Sequence, residues 1–158
     1  MTELTIELAG LPTGMSRVQI EADPLNLGLD ASVWPGRIAA DLSVEKSGDR
    51  LSVRGRLEAV AALDCVRCLR SFALPIVVPF EVFAERAGTG VRDEERELER
   101  DRYMKFHDGR RLNLHEEAHD ALLLELPIAP HCREECRGLC LRCGADLNEG
   151  PCGCSAQT

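Results

Sequence analysis

The sequence predicts an α+β fold: an antiparallel β-rich sheet or partly open barrel, one main helix, and a C-terminal segment of cysteine knuckles. Three observations carry that prediction. Apolar and polar side chains alternate between Ile38 and Ala84, the spacing turns helical after Asn113, and eight cysteines fall at tight spacings. A chain of 158 residues can bury roughly 68–70% of its extended surface on folding, so a core forms without cross-links. The cysteines therefore need another explanation.

The strands read in order. Leu4, Ile6 and Leu8 alternate, as do Val18 and Ile20, giving two short upstream strands. Pro24 to Pro35, with the only tryptophan at Trp34, reads as an ordered loop packed on the sheet. Ile38, Ala40, Leu42 and Val44 form a half-buried strand that enters the turn Ser47-Gly48-Asp49. Leu51 to Leu63 continues with every second residue small or apolar, and Ser52, Arg54, Arg56 and Glu58 between them on a wet face. A third run from Phe72 to Val82 starts just after Cys65-Val66-Arg67-Cys68, which places this CxxC at a hairpin tip. Pro75 and Pro79, on one parity of that run, remove two ladder donors and indicate an edge or a bulge.

Residues 87–102 are nearly all charged and read as a solvated loop or short exposed helix. Tyr103 to Phe106 and Arg110 to Leu112 flank Asp108-Gly109, a hairpin signal. Asn113 then serves as N-cap with Glu116 completing a capping box, and Leu114, Ala118, Ala121 and Leu122 make a helical stripe that Leu123, Leu124 and Leu126 widen before Pro127 stops it. His115 and His119 lie four apart among Glu116, Glu117 and Asp120 and read as a solvated face rather than a metal pair.

The last segment carries the chemistry: Cys132, Cys136, Cys140, Cys143, Cys152 and Cys154 join Cys65 and Cys68. No apolar run reaches the ~18 residues of a membrane span. Glu3 and Glu7 stand where a secretory leader would be basic. The expected location is the cytoplasm, where thiols stay reduced and such spacings read as metal thiolates, with two Zn2+ expected. Gly138, Gly144 and Gly153 beside the knuckles allow backbone N–H groups to turn toward thiolate. Cys140, Cys143, Cys152 and Cys154 can close a local site as C-x2-C-x8-C-x-C. That leaves Cys65, Cys68, Cys132 and Cys136 to pin the hairpin tip to the segment after the helix. A crossed arrangement, with the two CxxC knuckles Cys65/Cys68 and Cys140/Cys143 on one metal, stays open, as does His131 as a substitute ligand. Residues 1–130 then form a β-rich domain and 131–158 a zinc-knuckle segment packed on it.

Catalysis fits poorly. A redox CxxC normally opens a helix, where the dipole lowers a thiol pKa, and four-thiolate zinc leaves no open position for water or substrate. No phosphate loop, HExxH or GxSxG is present. Neither an enzyme nor a small-molecule substrate is expected. The formal charge of −8 argues against a general nucleic-acid clamp. Eight thiolates with two Zn2+ add −8 and +4 and move the total to −12.

The chain resembles the YceD family, the bacterial large ribosomal RNA subunit accumulation proteins. The resemblance covers roughly Gly36 to Cys154. It rests on Cys65-Val66-Arg67-Cys68-Leu69 with Phe72, the Asp108-Gly109 turn into the helix, Leu126-Pro127-Ile128-Ala129-Pro130, and Cys136-Arg137-Gly138-Leu139-Cys140 with Cys143-Gly144-Ala145-Asp146-Leu147-Asn148 and Cys152-Gly153-Cys154. Some family members lack the last four cysteines, which favours the local division. The resemblance implies a non-enzymatic role in ribosome biogenesis, with ribosomal RNA, a ribosomal protein or an assembly factor as partner. Arg54, Arg56, Arg67 and Arg70 are the candidate contact surface, since residues 50 to 70 hold five arginines against Glu58 and Asp64. With 4% aromatics, base stacking is not the main recognition mode. A redox-switched zinc chaperone is the alternative, because oxidation of such thiolate sets ejects metal.

Overall fold

The computed structural model describes residues 3–86 and 105–156. Tyr103 and the charged stretch of residues 87–102 lie outside the described residues. Alternation becomes strand at each place the pattern is long. Among the described residues the elements are β1 (Thr5–Glu7), β2 (Gly14–Ala22), β3 (Ile38–Ser47), β4 (Arg50–Asp64), β5 (Ser71–Arg86), β6 (Lys105–His107), β7 (Arg111–Asn113) and an α-helix, α1 (His115–Glu125). Short 3-10 turns occur at Pro24–Leu27 and Gly153–Ala156.

The main sheet runs β2-β3-β4-β5-β6, and a small second sheet pairs β1 with β7. The main sheet is open, with β2 and β6 at its ends. Period-2 patterning sends Ile38, Ala40, Leu42 and Val44 of β3, Leu51, Val53, Leu57, Ala59 and Ala61 of β4, and Ile76, Val78, Phe80, Val82 and Ala84 of β5 to one face. That face carries the core, closed by Leu4, Ile6 and Leu8 from the small sheet, by Trp34 from the Pro24–Pro35 loop, and by Leu114, Ala118 and Leu122 of the helix segment. The loop is also stitched to β4, where the Ala62 amide donates to the Val33 carbonyl at 2.7 Å.

β3 pairs with β4 only from Arg50 to Glu58, whereas β4 pairs with β5 from Arg50↔Glu85 out to Asp64↔Ser71. The β4–β5 hairpin therefore projects beyond the rest of the sheet. Pro75 and Pro79 sit on β5 where, among the described residues, it pairs with β4 alone, since β6 joins no earlier than Ala84. The edge they indicated is there. At Gly55 the hairpin passes so close to β3 that a Cβ would stand 2.0 Å from the Asp41 carbonyl oxygen.

Three local expectations change. The Asp108-Gly109 turn forms, with Asp108 Oδ1 accepting from the Arg110 and Arg111 amides at 2.8 and 2.9 Å. Its arms do not pair with each other, however: β6 runs parallel to β5 and β7 antiparallel to β1. Non-local ladders win because each arm is only three residues long and buries a side chain, His107 or Leu112, toward existing strands. The helix starts later than Asn113 would place it. Leu114 occupies the cap position without a side-chain bond, and Asn113 Oδ1 accepts from the His115 amide at 2.8 Å, so the capping box is not formed. Leu123 and Leu124 remain exposed, the latter at 86%, because each residue turns the side chain ~100° and the core side is already taken by Ala118 and Leu122.

The two histidines are tethers rather than a solvated face. His115 Nε2 accepts from the Leu4 amide at 3.1 Å, and His119 Nδ1 lies 2.8 Å from the Leu27 carbonyl oxygen. Together they fix α1 to the small sheet and to the 3-10 turn. Among the described residues no helix is long and apolar enough to cross a membrane.

Candidate metal centre

The hairpin tip is a knuckle built from backbone hydrogen bonds. The Cys65 amide donates to the Arg70 carbonyl and the Leu69 amide to the Cys65 carbonyl, both at 2.9 Å. Leu69 closes the turn at φ 61°, an uncommon conformation for a side chain with a Cβ. Two further bonds carry the C-terminal segment onto this tip: Val66 N to Pro130 O at 2.9 Å, and Leu139 N to Arg67 O at 3.1 Å. Gly138 makes the second possible. It has φ 78°, and a Cβ there would meet the Arg67 carbonyl oxygen at 3.1 Å.

These contacts bring Cys65, Cys68, Cys132 and Cys136 together, with all four sulfurs within 4.8 Å of one another. Cys65 Sγ lies 3.7 Å from Cys136 Sγ, and Cys68 Sγ 3.7 Å from Cys132 Sγ. A tetrahedron with ~2.3 Å metal–sulfur bonds has edges of ~3.8 Å, whereas a disulfide needs ~2.05 Å. The spacing suits four thiolates around one zinc ion. Cys140, Cys143, Cys152 and Cys154 form a second group under the same 4.8 Å limit. The eight cysteines thus fall into the local division, the crossed ribbon pairing is not formed, and His131 belongs to neither group.

The surroundings of the two quartets differ. Cys65, Cys68 and Cys136 are buried, with Phe72 and Leu139 packed against them. In the outer quartet Cys143 is exposed and the other three are half-buried. Each quartet also divides electrostatically. Burial opposes ionisation of Cys65, but amides of Cys68, Cys132 and Arg67 outweigh it and bring the thiol down to about 6. Burial, together with the Cys136 sulfur, pushes Cys132 up to about 12. In the outer group the amides of Cys143 and Arg142 bring Cys140 to about 6, while the neighbouring Cys143 sulfur, with burial, raises Cys154 to about 12. Four thiolates at this separation repel one another, and a divalent cation at their centre removes the conflict.

Asn148 is a residue of the site that sequence reasoning did not single out. Its Nδ2 donates to Cys136 Sγ at 3.3 Å, and its Oδ1 accepts from the Arg137 amide at 2.9 Å and from Arg133 at 3.0 Å. The Cys136 thiol is held below its ordinary range, chiefly by this Asn148 contact. Asn148 lies between Cys143 and Cys152, so the loop that closes the outer group orients a sulfur of the inner one. Asn148→Ala is expected to lower zinc affinity at the inner quartet by about 10–100-fold. Competition with a chromophoric chelator checks this, and unchanged affinity would show the contact to be incidental.

The four candidate arginines are not one surface. Arg54 and Arg56 face outward on β4, paired with Glu81 at 2.9 Å and Glu58 at 2.8 Å. Arg67 and Arg70 lie at the tip, roughly 30 Å farther along at ~3.3 Å per residue. Arg67 donates to the carbonyls of Cys136 at 3.1 Å and Glu134 at 3.4 Å, and Arg70 bonds Asp146 at 2.9 Å. The tip arginines hold the cysteine segment in place.

The family model described as large ribosomal RNA subunit accumulation protein YceD matches residues 53–158. Over 125 residues the chain is 35% identical to an uncharacterized protein of Mycobacterium leprae, covering 77% of this chain and 55% of that relative. An uncharacterized Mycobacterium tuberculosis protein is 34% identical over 113 residues, 70% of this chain and 52% of its own. The large ribosomal RNA subunit accumulation protein YCED homolog 1, chloroplastic, of Arabidopsis thaliana is 24% identical over 174 residues, 95% of this chain and 54% of the relative. The chain spans about half the length of the curated relatives it matches. No solved structure matches it. Because the matched region runs from β4 through the knuckle hairpin, the helix and both cysteine quartets, the chain belongs to the YceD family.

Proposed function

We propose that this chain is a non-catalytic, zinc-binding protein that supports accumulation of large-subunit ribosomal RNA by binding that RNA, a ribosomal protein or an assembly factor in the cytoplasm. The observation that carries the reading is the placement of both cysteine quartets inside the YceD-matched region. The inner quartet, Cys65, Cys68, Cys132 and Cys136, would hold one zinc ion and the outer quartet, Cys140, Cys143, Cys152 and Cys154, another. Zinc would supply folding energy there and no reactive water, since four thiolates fill its coordination. The chain's own residues do the rest: residues 1–130 form the β-rich domain, Arg67 and Arg70 seat residues 131–158 upon it, and Asn148 ties that segment to itself at Cys136.

Protein purified without added metal should contain about two zinc ions per chain, and a ratio near zero with intact thiols would sink the metal reading. For the partner, Arg54→Glu with Arg56→Glu is the clean variant, because these exposed side chains pair with the surface carboxylates Glu81 and Glu58, with Phe83 under Arg54 and Asp41 near Arg56, and hold no part of the cysteine segment. The variant should keep its zinc and fold and lose co-sedimentation with large-subunit precursors. A steep loss of wild-type association with salt, abolished by nuclease, identifies RNA as the partner. Shallow dependence that survives nuclease identifies protein. Wild-type association by the folded variant would remove this strand face from the reading.

A further inference from the structure

The two quartets have the same ligands but different access. In the inner one Cys65, Cys68 and Cys136 are buried against Phe72 and Leu139 and Cys132 alone is half-buried. The outer one borders an open groove of about 750 Å³, whose lining includes Cys140, Cys152 and Cys154 together with Arg67, Arg137 and Arg142. Among the described residues no carboxylate lines it. Solvent-open sulfur beside fixed positive charge is the setting in which cysteine reacts with electrophilic oxidants, and burial among apolar side chains is the setting in which it stays inert.

Resting on the zinc reading above, we propose that the outer quartet is an oxidative modification site, at which hydrogen peroxide converts Cys140, Cys143, Cys152 and Cys154 to two disulfides and frees their zinc while the inner quartet keeps its own. The balance is simple. Two peroxide molecules take up four electrons from four thiolates and, with four protons, become four water molecules. Two S–S bonds form, two O–O bonds break, and the metal leaves as Zn2+. All four sulfurs lie within 4.8 Å of one another, so each thiolate has a resolving partner at hand. The groove admits the oxidant without any opening of the β-sheet core, because its floor belongs to the knuckle segment and the hairpin tip.

The test uses the full chain, reduced and zinc-loaded. Its zinc content is measured first: fewer than two ions per chain counts against the zinc reading itself, whereas the following steps judge the site. Hydrogen peroxide is then added in the presence of a chromophoric chelator, and the remaining thiols are mapped by alkylation and mass spectrometry. One equivalent of zinc should be released at least about tenfold faster than the second. Cys140, Cys143, Cys152 and Cys154 should be found oxidised while Cys65, Cys68, Cys132 and Cys136 are still thiols, and a dithiol reductant with added zinc should restore the starting state. The Cys140→Ser, Cys143→Ser variant should carry one zinc and lack the fast phase. Simultaneous release of both ions, prior oxidation of the inner cysteines, or a fast phase that survives in the double variant would each overturn the assignment.

Discussion

Serine at both Cys65 and Cys68 should leave about one zinc ion per chain and lower the unfolding free energy by about 4 kcal/mol, the loop-closure entropy of a clip this long. The sulfurs joined at the inner quartet are 64 and 71 residues apart in sequence. Freeing them restores to the unfolded chain the conformational freedom that the clip removed. It also releases the segment that Val66, Arg67 and Arg70 hold against the tip. Serine at Cys140 and Cys143 removes one zinc too, but it opens only a local loop and should shift melting much less. Thermal unfolding followed beside zinc content separates the two, and equal losses of stability would contradict the division of the cysteines into a long-range and a local site.

The second large effect is expected at Gly55. Gly55→Ala puts a methyl carbon 2.0 Å from the Asp41 carbonyl oxygen and 2.9 Å from Leu42 Cα. Both are backbone atoms of β3, so no side chain can swing aside to make room. Relief requires β3 and β4 to separate between Val53 and Leu57, which are both fully buried. A cost at the upper end of the about 1–3 kcal/mol typical of overpacking is expected, with zinc content unchanged. Chemical denaturation measures it, and a loss below about 0.5 kcal/mol would mean that the strands separate there at little cost.

The long strands and the hairpin knuckle were legible because their signals are local: alternation over ten or more residues fixes a face, and CxxC between two such runs fixes a tip. The division of the cysteines was legible only in part: C-x2-C-x8-C-x-C can close on itself and leave a complete second set, but the crossed pairing stays open until the fold groups the sulfurs. What escaped depended on distant partners. β6 pairs with β5 and β7 with β1, across gaps that no short-range turn rule senses. His115 and His119 looked like wet helix residues because the Leu4 amide and Leu27 carbonyl that engage them are about ninety or more residues away. Arg67 and Arg70 looked free because their acceptors lie in the C-terminal segment. Asn148 offered one signal that went unused. It sits in the Asp146-Leu147-Asn148 run, where a polar amide between two pairs of ligands is well placed to donate to sulfur, yet only the fold shows that it crosses to the other quartet.

The projecting β4–β5 hairpin has a mechanical consequence. A pull on the C-terminal segment enters the molecule at the tip and is carried down two strands whose ladder runs unbroken from Asp64↔Ser71 to Arg50↔Glu85. Both strands take that tension in the same direction, so their mutual bonds carry little of it, and the load passes in shear to the shorter β3–β4 ladder between Ala39↔Glu58 and Ser47↔Arg50. The tip has no such redundancy: its grip on the segment consists of the inner sulfurs, a few backbone bonds and two guanidinium groups. Two different structures thus stand in series along that line of force, a compact cluster of side chains at the tip and a broad ladder of backbone bonds in the sheet.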